Sequence, residues 1–169
     1  MPKIIVTGPE SSGKTTLCKA LATHLKTPFT EEFARIYIDN LDREYNQNDL
    51  VIIAKGQLKN EQLTTNNKQL FLHDTDLITL KIWSEYKYGN CDDWITSQIE
   101  KQKQEKRFYL LCNPDIPWIN DPQRENPDNR EELFKIYKQE LENLDHNYFI
   151  VEGENRIDKS ILKISTLTS

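Results

Sequence analysis

The stretch "GPESSGKTT", Gly8 to Thr16, combines two glycines, a lysine and several hydroxyls in a spacing that suits one task, the holding of a chain of phosphates. Glycine at Gly8 and Gly13 lets consecutive backbone N–H groups converge on anionic oxygens, because no Cβ blocks the approach. Lys14 adds a compact positive charge for the β- and γ-phosphates, and Thr15 supplies the hydroxyl type that ligates a bridging Mg²⁺. The pattern GxxxxGK[ST] is specific when a strand precedes it and a helix follows. Here "KIIVT" leads in, and Leu17, Ala20, Leu21 and Leu25 form a helical stripe behind it. Pro9, Glu10, Ser11, Ser12 and Thr16 complete the loop as candidate contacts, and the expected ligands are ATP and Mg²⁺.

Further groups fit a phosphoryl-transfer site. The run "LFLHD" ends in "DTD", and the carboxyl end of a strand beside a phosphate loop is where a metal-associated aspartate belongs, which nominates Asp74. Asp76 is either part of that acidic site or the N-cap of the next helix. His73, flanked by apolar residues, reads as an interior histidine. In "TEEFAR" two adjacent carboxylates close another apolar run. They either complement a helix dipole or, with Glu32 preferred over Glu31, provide the base that accepts the proton of an acceptor hydroxyl. Arg124 and Arg130 lie in or beside the irregular, proline-rich segment 113–130, which is expected to act as a cationic lid over the phosphates.

Elements able to position these groups are legible in the alternation of short apolar runs with helical periodicity. The runs are Lys3 to Thr7, Pro28 to Glu31, Leu70 to Asp74, Phe108 to Cys112 and Asn147 to Glu152. Asp49 is expected to cap a helix bearing Leu50, Ile53, Ala54 and Leu58. A second helix should start near Asp76 and stop at Gly89, and Asp128 with Glu131 has capping-box spacing for a third. The fold class expected is α/β, a P-loop fold of the nucleoside/nucleotide-kinase type with a five-stranded parallel sheet, in one domain over residues 1–169.

The bulk numbers narrow the partners. A net charge of −5, with Lys and Arg dispersed among Asp and Glu, gives no face for nucleic acid or an anionic membrane. The three cysteines Cys18, Cys91 and Cys112 fit neither a disulfide framework nor a CxxC zinc site. The start carries no signal-peptide pattern and no window is apolar enough to span a bilayer, so a cytoplasmic protein with a small-molecule partner is expected. Neither a DxxG loop nor an [NT]KxD string occurs, which sets switch GTPases aside.

"GPESSGKTTL", "EEFAR", "FLHDTDLITLKIW", "YKYG" and "PDIPWINDPQR" together resemble the ribosylnicotinamide kinase domain of the NadR family and its stand-alone relatives. The resemblance covers nearly the whole chain. It implies transfer of the ATP γ-phosphate to the ribose 5′-hydroxyl of nicotinamide riboside, giving nicotinamide mononucleotide for NAD synthesis. It implies Gly8 to Thr15 at ATP, Asp74 with Mg²⁺, Glu32 at the acceptor hydroxyl, and Arg124 and Arg130 in the lid. Two departures stand out. His24, His73 and His146 are isolated and form no HxGH, so no adenylyltransferase activity is expected. The family's two ring-stacking aromatics fall at Glu31 and Gln62, leaving Phe29, Phe33, Tyr37, Trp83 and Trp118 as substitutes. The alternatives are a kinase for another nucleoside or a vitamin, and a nucleotide-dependent binding module; oligomeric state is left open.

Overall fold

The computed structural model describes residues 2–64 and 70–168. Five strands, β1 (Lys3–Thr7), β2 (Phe29–Thr30), β3 (Phe71–Asp74), β4 (Arg107–Cys112) and β5 (Asn147–Val151), form one parallel sheet in the order β2-β3-β1-β4-β5. The strands read as near-continuous apolar runs because both faces are covered. Ile4, Val6, Leu72 and Leu110 point to the face packed by α1 (Lys14–Leu25) and α7 (Arg156–Thr168). Ile5, Tyr109 and Leu111 point to the other face. That face meets α3 (Gln47–Thr64), α4 (Leu77–Tyr88), α5 (Asp93–Gln102) and α6 (Arg130–Asn143), while the short α2 (Phe33–Asp39) leans on α3.

All five expected strands are present. Central β1 ends between the ends of β3 and β4, and in an open parallel sheet the crevice beyond the strand ends at such a point receives ligands. Two expected caps are corrected. Asn46, not Asp49, caps α3, its Oδ1 accepting the N–H of Asn48 at 2.9 Å while the Asp49 carboxylate accepts the Asn46 N–H at 2.8 Å. Asp49 is thus the third helical residue of a capping box that starts one turn earlier. At α6 the cap position is Asn129, without a side-chain bond, because Arg130 is anchored on the carbonyls of Ser11 and Ile116 and tertiary contact sets where the helix begins. Asp76 does cap α4, accepting from Ile78 N at 3.1 Å, and Gly89 stops that helix with φ 79°.

Candidate functional site

Gly8 to Thr16 turns directly from β1 into α1, with Gly8 at φ 136° and Gly13 at φ 85°, conformations that side-chain-bearing residues rarely adopt. A Cβ on Gly8 would also lie 2.6 Å from the Cys112 carbonyl at the end of β4, so the loop passes where only glycine fits. The loop is held from within by Ser12 Oγ, which donates to Pro9 O at 2.7 Å. Lys14 Nζ donates to the same carbonyl at 2.7 Å and so lies across the loop's own mouth.

β3 delivers Asp74 to this loop. Thr15 Oγ1 donates to Asp74 Oδ2 at 2.6 Å, joining the two residues nominated for a metal. Asp74 is 1% exposed, and its second oxygen, Oδ1, is buried with no hydrogen-bond partner. Burial pushes the Asp74 carboxyl upward, offset in part by the Thr15 hydrogen bond and by Lys14. A buried carboxylate with an unused oxygen beside a hydroxyl is a donor set that fits Mg²⁺. Among the described residues no group of three or more His, Cys, Asp or Glu could hold a metal ion. The turn after Asp74 sends its neighbour elsewhere: Thr75 takes φ 67°, and Asp76 enters a buried cluster with Arg107 and Tyr109.

Glu32 occupies the cap position of α2 yet makes no cap bond. Gln57 Oε1, reaching from α3, accepts the N–H of Phe33, the first residue of α2, at 2.8 Å. The Glu32 carboxylate is therefore free of the helix terminus. It lines a cavity with Lys14, Thr15, Arg35, Trp83 and Arg124. Burial raises its pKa; Lys14 pulls it back and the nearby Asp74 charge pushes it further up.

The segment 113–129, between β4 and α6, holds no helix or strand and lies across the phosphate loop. Its contacts are numerous and specific. Glu10 accepts the N–H groups of Glu125 and Asn126 at 3.1 Å and 3.0 Å, and Ser11 Oγ accepts from Ile119 N at 3.0 Å. Arg35 of α2 pairs with Asp121 at 2.8 Å. The two expected lid arginines differ. Arg124 donates to Ile119 O at 2.6 Å and lines the cavity; Arg130 grips Ser11 O and Ile116 O at 3.1 Å and 2.9 Å, its guanidinium over Trp118.

Arg156, in the Gly153–Arg156 loop after the last strand that the sequence offers only as a place for the nucleotide base, joins this site in a different role. From the start of α7 it donates to Ser12 O and Asn113 O, both at 2.9 Å, and pairs with Asp115. Its only signal is an arginine just past the last strand at the ligand-facing edge of the sheet. Of the ring candidates, Glu31 and Gln62 are exposed and offer no aromatic face. Phe33 packs into the core and Tyr37 donates to Asp49, so neither faces the cavity. Trp83 lines it directly. His73 is an interior residue, hydrogen-bonded to Thr30 Oγ1 at 3.0 Å and pushed down to about 4 by burial.

Among solved structures, a NadR protein in complex with nicotinamide riboside (NR) superimposes with a TM-score of 0.77 at 24% identity, over 98% of this chain and 51% of that one. A NadR protein in complex with NAD and AMP-PNP gives 0.73 at 24% identity, over 98% and 49%. Deoxyadenosine kinase from M. mycoides, with dCMP and a flexible dCDP bound, gives 0.63 at 15% identity, over 97% and 99%. These likenesses are of fold, and the chain spans about half the length of the NadR chains it matches. No curated protein matches the sequence. A family model described as an AAA domain matches residues 3–157, nearly the whole chain, and on this match, with the phosphate loop that the structure displays, the protein belongs to the AAA domain family.

Proposed function

We propose that the protein is an ATP- and Mg²⁺-dependent kinase that phosphorylates a nucleoside-like alcohol, with the 5′-hydroxyl of nicotinamide riboside as the preferred acceptor. The observation that carries this reading is the convergence on one cavity of Lys14, the Thr15 hydroxyl joined to Asp74, and a Glu32 carboxylate that makes no helix-cap bond. The structural likeness to NadR with nicotinamide riboside and to a deoxyadenosine kinase supports the acceptor class.

The chain's own groups divide the work. Backbone N–H groups of Gly8 to Thr15 and the start of α1 hold the triphosphate. Lys14 exchanges the Pro9 carbonyl for phosphate oxygens, since a charge-assisted bond to an anion is stronger than one to a neutral carbonyl. Thr15 and Asp74 would hold Mg²⁺, which when bound neutralises phosphate charge. Glu32 accepts the hydroxyl proton as the acceptor oxygen bonds to the γ-phosphorus and the bond to the ADP oxygen breaks. Segment 113–130 serves as a lid that excludes water, with Arg124 lining the transfer site and Arg130 and Arg156 bracing the loop through its carbonyls. Among the described residues no helix is long and apolar enough to cross a membrane. Three free cysteines support a reducing, cytoplasmic setting.

The test incubates the protein with labelled ATP and a panel of nucleosides and identifies the product by mass. Nicotinamide mononucleotide is expected. Bound nucleotide with no phosphorylated product from any acceptor would replace the kinase reading by that of a binding module.

A further inference from the structure

The cations around the phosphate loop divide into two sets. Lys14, Arg35 and Arg124 line the cavity beside Glu32. Arg130 and Arg156 are not among its lining residues, and both guanidiniums are engaged by backbone carbonyls instead. Arg130 Nη1 donates to Ser11 O at 3.1 Å and to Ile116 O at 2.9 Å, with the Trp118 ring against it. Arg156 donates to Ser12 O and Asn113 O, each at 2.9 Å. It is fixed by Asp115, which also accepts the Gly153 N–H at 2.7 Å.

These contacts decide where the loop's donors point. In a planar trans peptide the C=O and the N–H face opposite ways. A Ser11 carbonyl drawn to Arg130 therefore turns the Ser12 N–H away from that arginine, and a Ser12 carbonyl drawn to Arg156 does the same for the Gly13 N–H. Such N–H groups, just ahead of a helix, are the ones that converge on a phosphate chain. The backbone here does not keep its shape unaided. Ser11 takes φ 54°, a left-handed conformation that a residue with a Cβ holds only where its surroundings impose it. Arg130 on its carbonyl and the Ile119 N–H, which donates to Ser11 Oγ at 3.0 Å, are those surroundings. Gly13 follows at φ 85°, and a Cβ on it would lie 3.3 Å from Ile116 Cδ1 and 3.7 Å from Arg156 Nη1, so the same side chains back the loop there.

We infer that Arg130 and Arg156 are positioning residues, which hold the Ser11–Ser12 and Ser12–Gly13 peptides with their N–H groups toward the phosphates and so form the anion site before a nucleotide arrives. A loop already in its bound shape loses less conformational freedom on binding, which raises affinity for the phosphate chain. The inference takes from the proposed function only that the loop binds a nucleotide. It moves Arg130 from a charge on the transferring group to a support of the loop.

The test measures ADP binding to the full chain by calorimetry, with circular dichroism to report the fold. Arg130→Gln and, separately, Arg156→Gln should raise the Kd for ADP about tenfold and lower kcat by a smaller factor. Arg124→Gln, at a cation that lines the cavity, should show the opposite split. Ser11→Gly added to Arg130→Gln should recover about threefold in affinity, because glycine takes the left-handed conformation without help, although no charge is restored. A guanidinium that acts on the phosphates gives no such recovery. Where a glutamine variant fails to fold, Asp115→Asn, which releases Arg156 without removing it, should raise the Kd in the same direction. Parental ADP affinity in the variants that fold, or a loss at Arg130 that Ser11→Gly leaves unrepaired, would overturn the positioning role. ADP binding needs no acceptor, so absence of turnover with every nucleoside would overturn the kinase reading and leave these outcomes readable.

Discussion

At the scale of single residues, the proposed site leaves particular atoms unspent. Asp74 Oδ1 is buried and unpaired, the Glu32 side chain makes no bond to the start of α2, and Lys14 donates to the neutral Pro9 carbonyl. Lys14→Ala is expected to lower turnover by about 10²–10³-fold or more with the thermal midpoint little changed, because it removes charge aimed at the transferring group. Steady-state kinetics beside circular dichroism measure it; turnover near that of the parent would remove Lys14 from its role. Glu32 gives a pH signature. Its pKa is raised in the folded protein, so the ionised form that can accept a proton is lost as pH falls through a value above the usual glutamate one. The acid limb of kcat/KM should lie above about 4.3, the ordinary glutamate value. Glu32→Gln should lower kcat and abolish that limb; a limb that persists in the variant would assign it to another group.

At the scale of elements, local signals succeed where the chain's neighbours leave them alone. Asp76 and Gly89 bracket α4 as their types dictate, whereas α3 starts at Asn46 because Asn46 and Asp49 cap reciprocally. Asn46→Ala should cost about 1 kcal/mol in denaturant unfolding, the usual loss for an N-cap. A smaller change than a few tenths would mean that water replaces the cap. Gly56, inside α3, has a packing role that its own sequence neighbourhood does not announce. A Cβ there would fall inside 3.0 Å of three Phe33 ring atoms, and that ring packs α2 against α3. Gly56→Ala gains helix propensity but must displace that ring, and a net destabilisation of about 1–3 kcal/mol is expected from overpacking. Because Glu32 precedes Phe33, the same variant should reduce turnover more than it reduces ATP affinity; equal stability to the parent would show that the ring moves at no cost.

For the molecule as a whole, the sheet is tied across its helical face by charge as well as by apolar packing. Arg107, at the start of β4, pairs with Asp76 ahead of α4 and with Glu61 of α3, all three essentially buried, and Tyr109 donates to Asp76 at 2.7 Å. Removing the guanidinium leaves the buried Asp76 carboxylate without a counter-charge, while Glu61 keeps Lys3, so Arg107→Ala should lower the unfolding free energy by about 3–5 kcal/mol. Urea titration decides it, and a loss below about 1 kcal/mol would mean that the carboxylates take up protons without penalty. The cluster also holds the residue two places after Asp74, so a destabilised Arg107 variant that still folds should show weakened Mg²⁺ dependence. Around the phosphate loop the arrangement is equally distributed: α2, the 113–129 segment, α6 and α7 each supply an arginine, Arg35, Arg124, Arg130 and Arg156.

The five strands, the α/β class and the phosphate loop were legible in the chain itself, because each depends on contiguous residues: an apolar run, two glycines at fixed spacing, a lysine and a hydroxyl. Asp74 was legible for the same reason, as the polar end of a buried strand. Tertiary structure alone decided what the distant groups do. It set Arg130 on backbone carbonyls, brought Arg156 to the same loop, brought Gln57 to the start of α2, and gathered Tyr45, Trp83 and Tyr86 around one chamber. Those outcomes depend on which helices meet across the sheet, and the side-chain types at these positions are compatible with many other meetings.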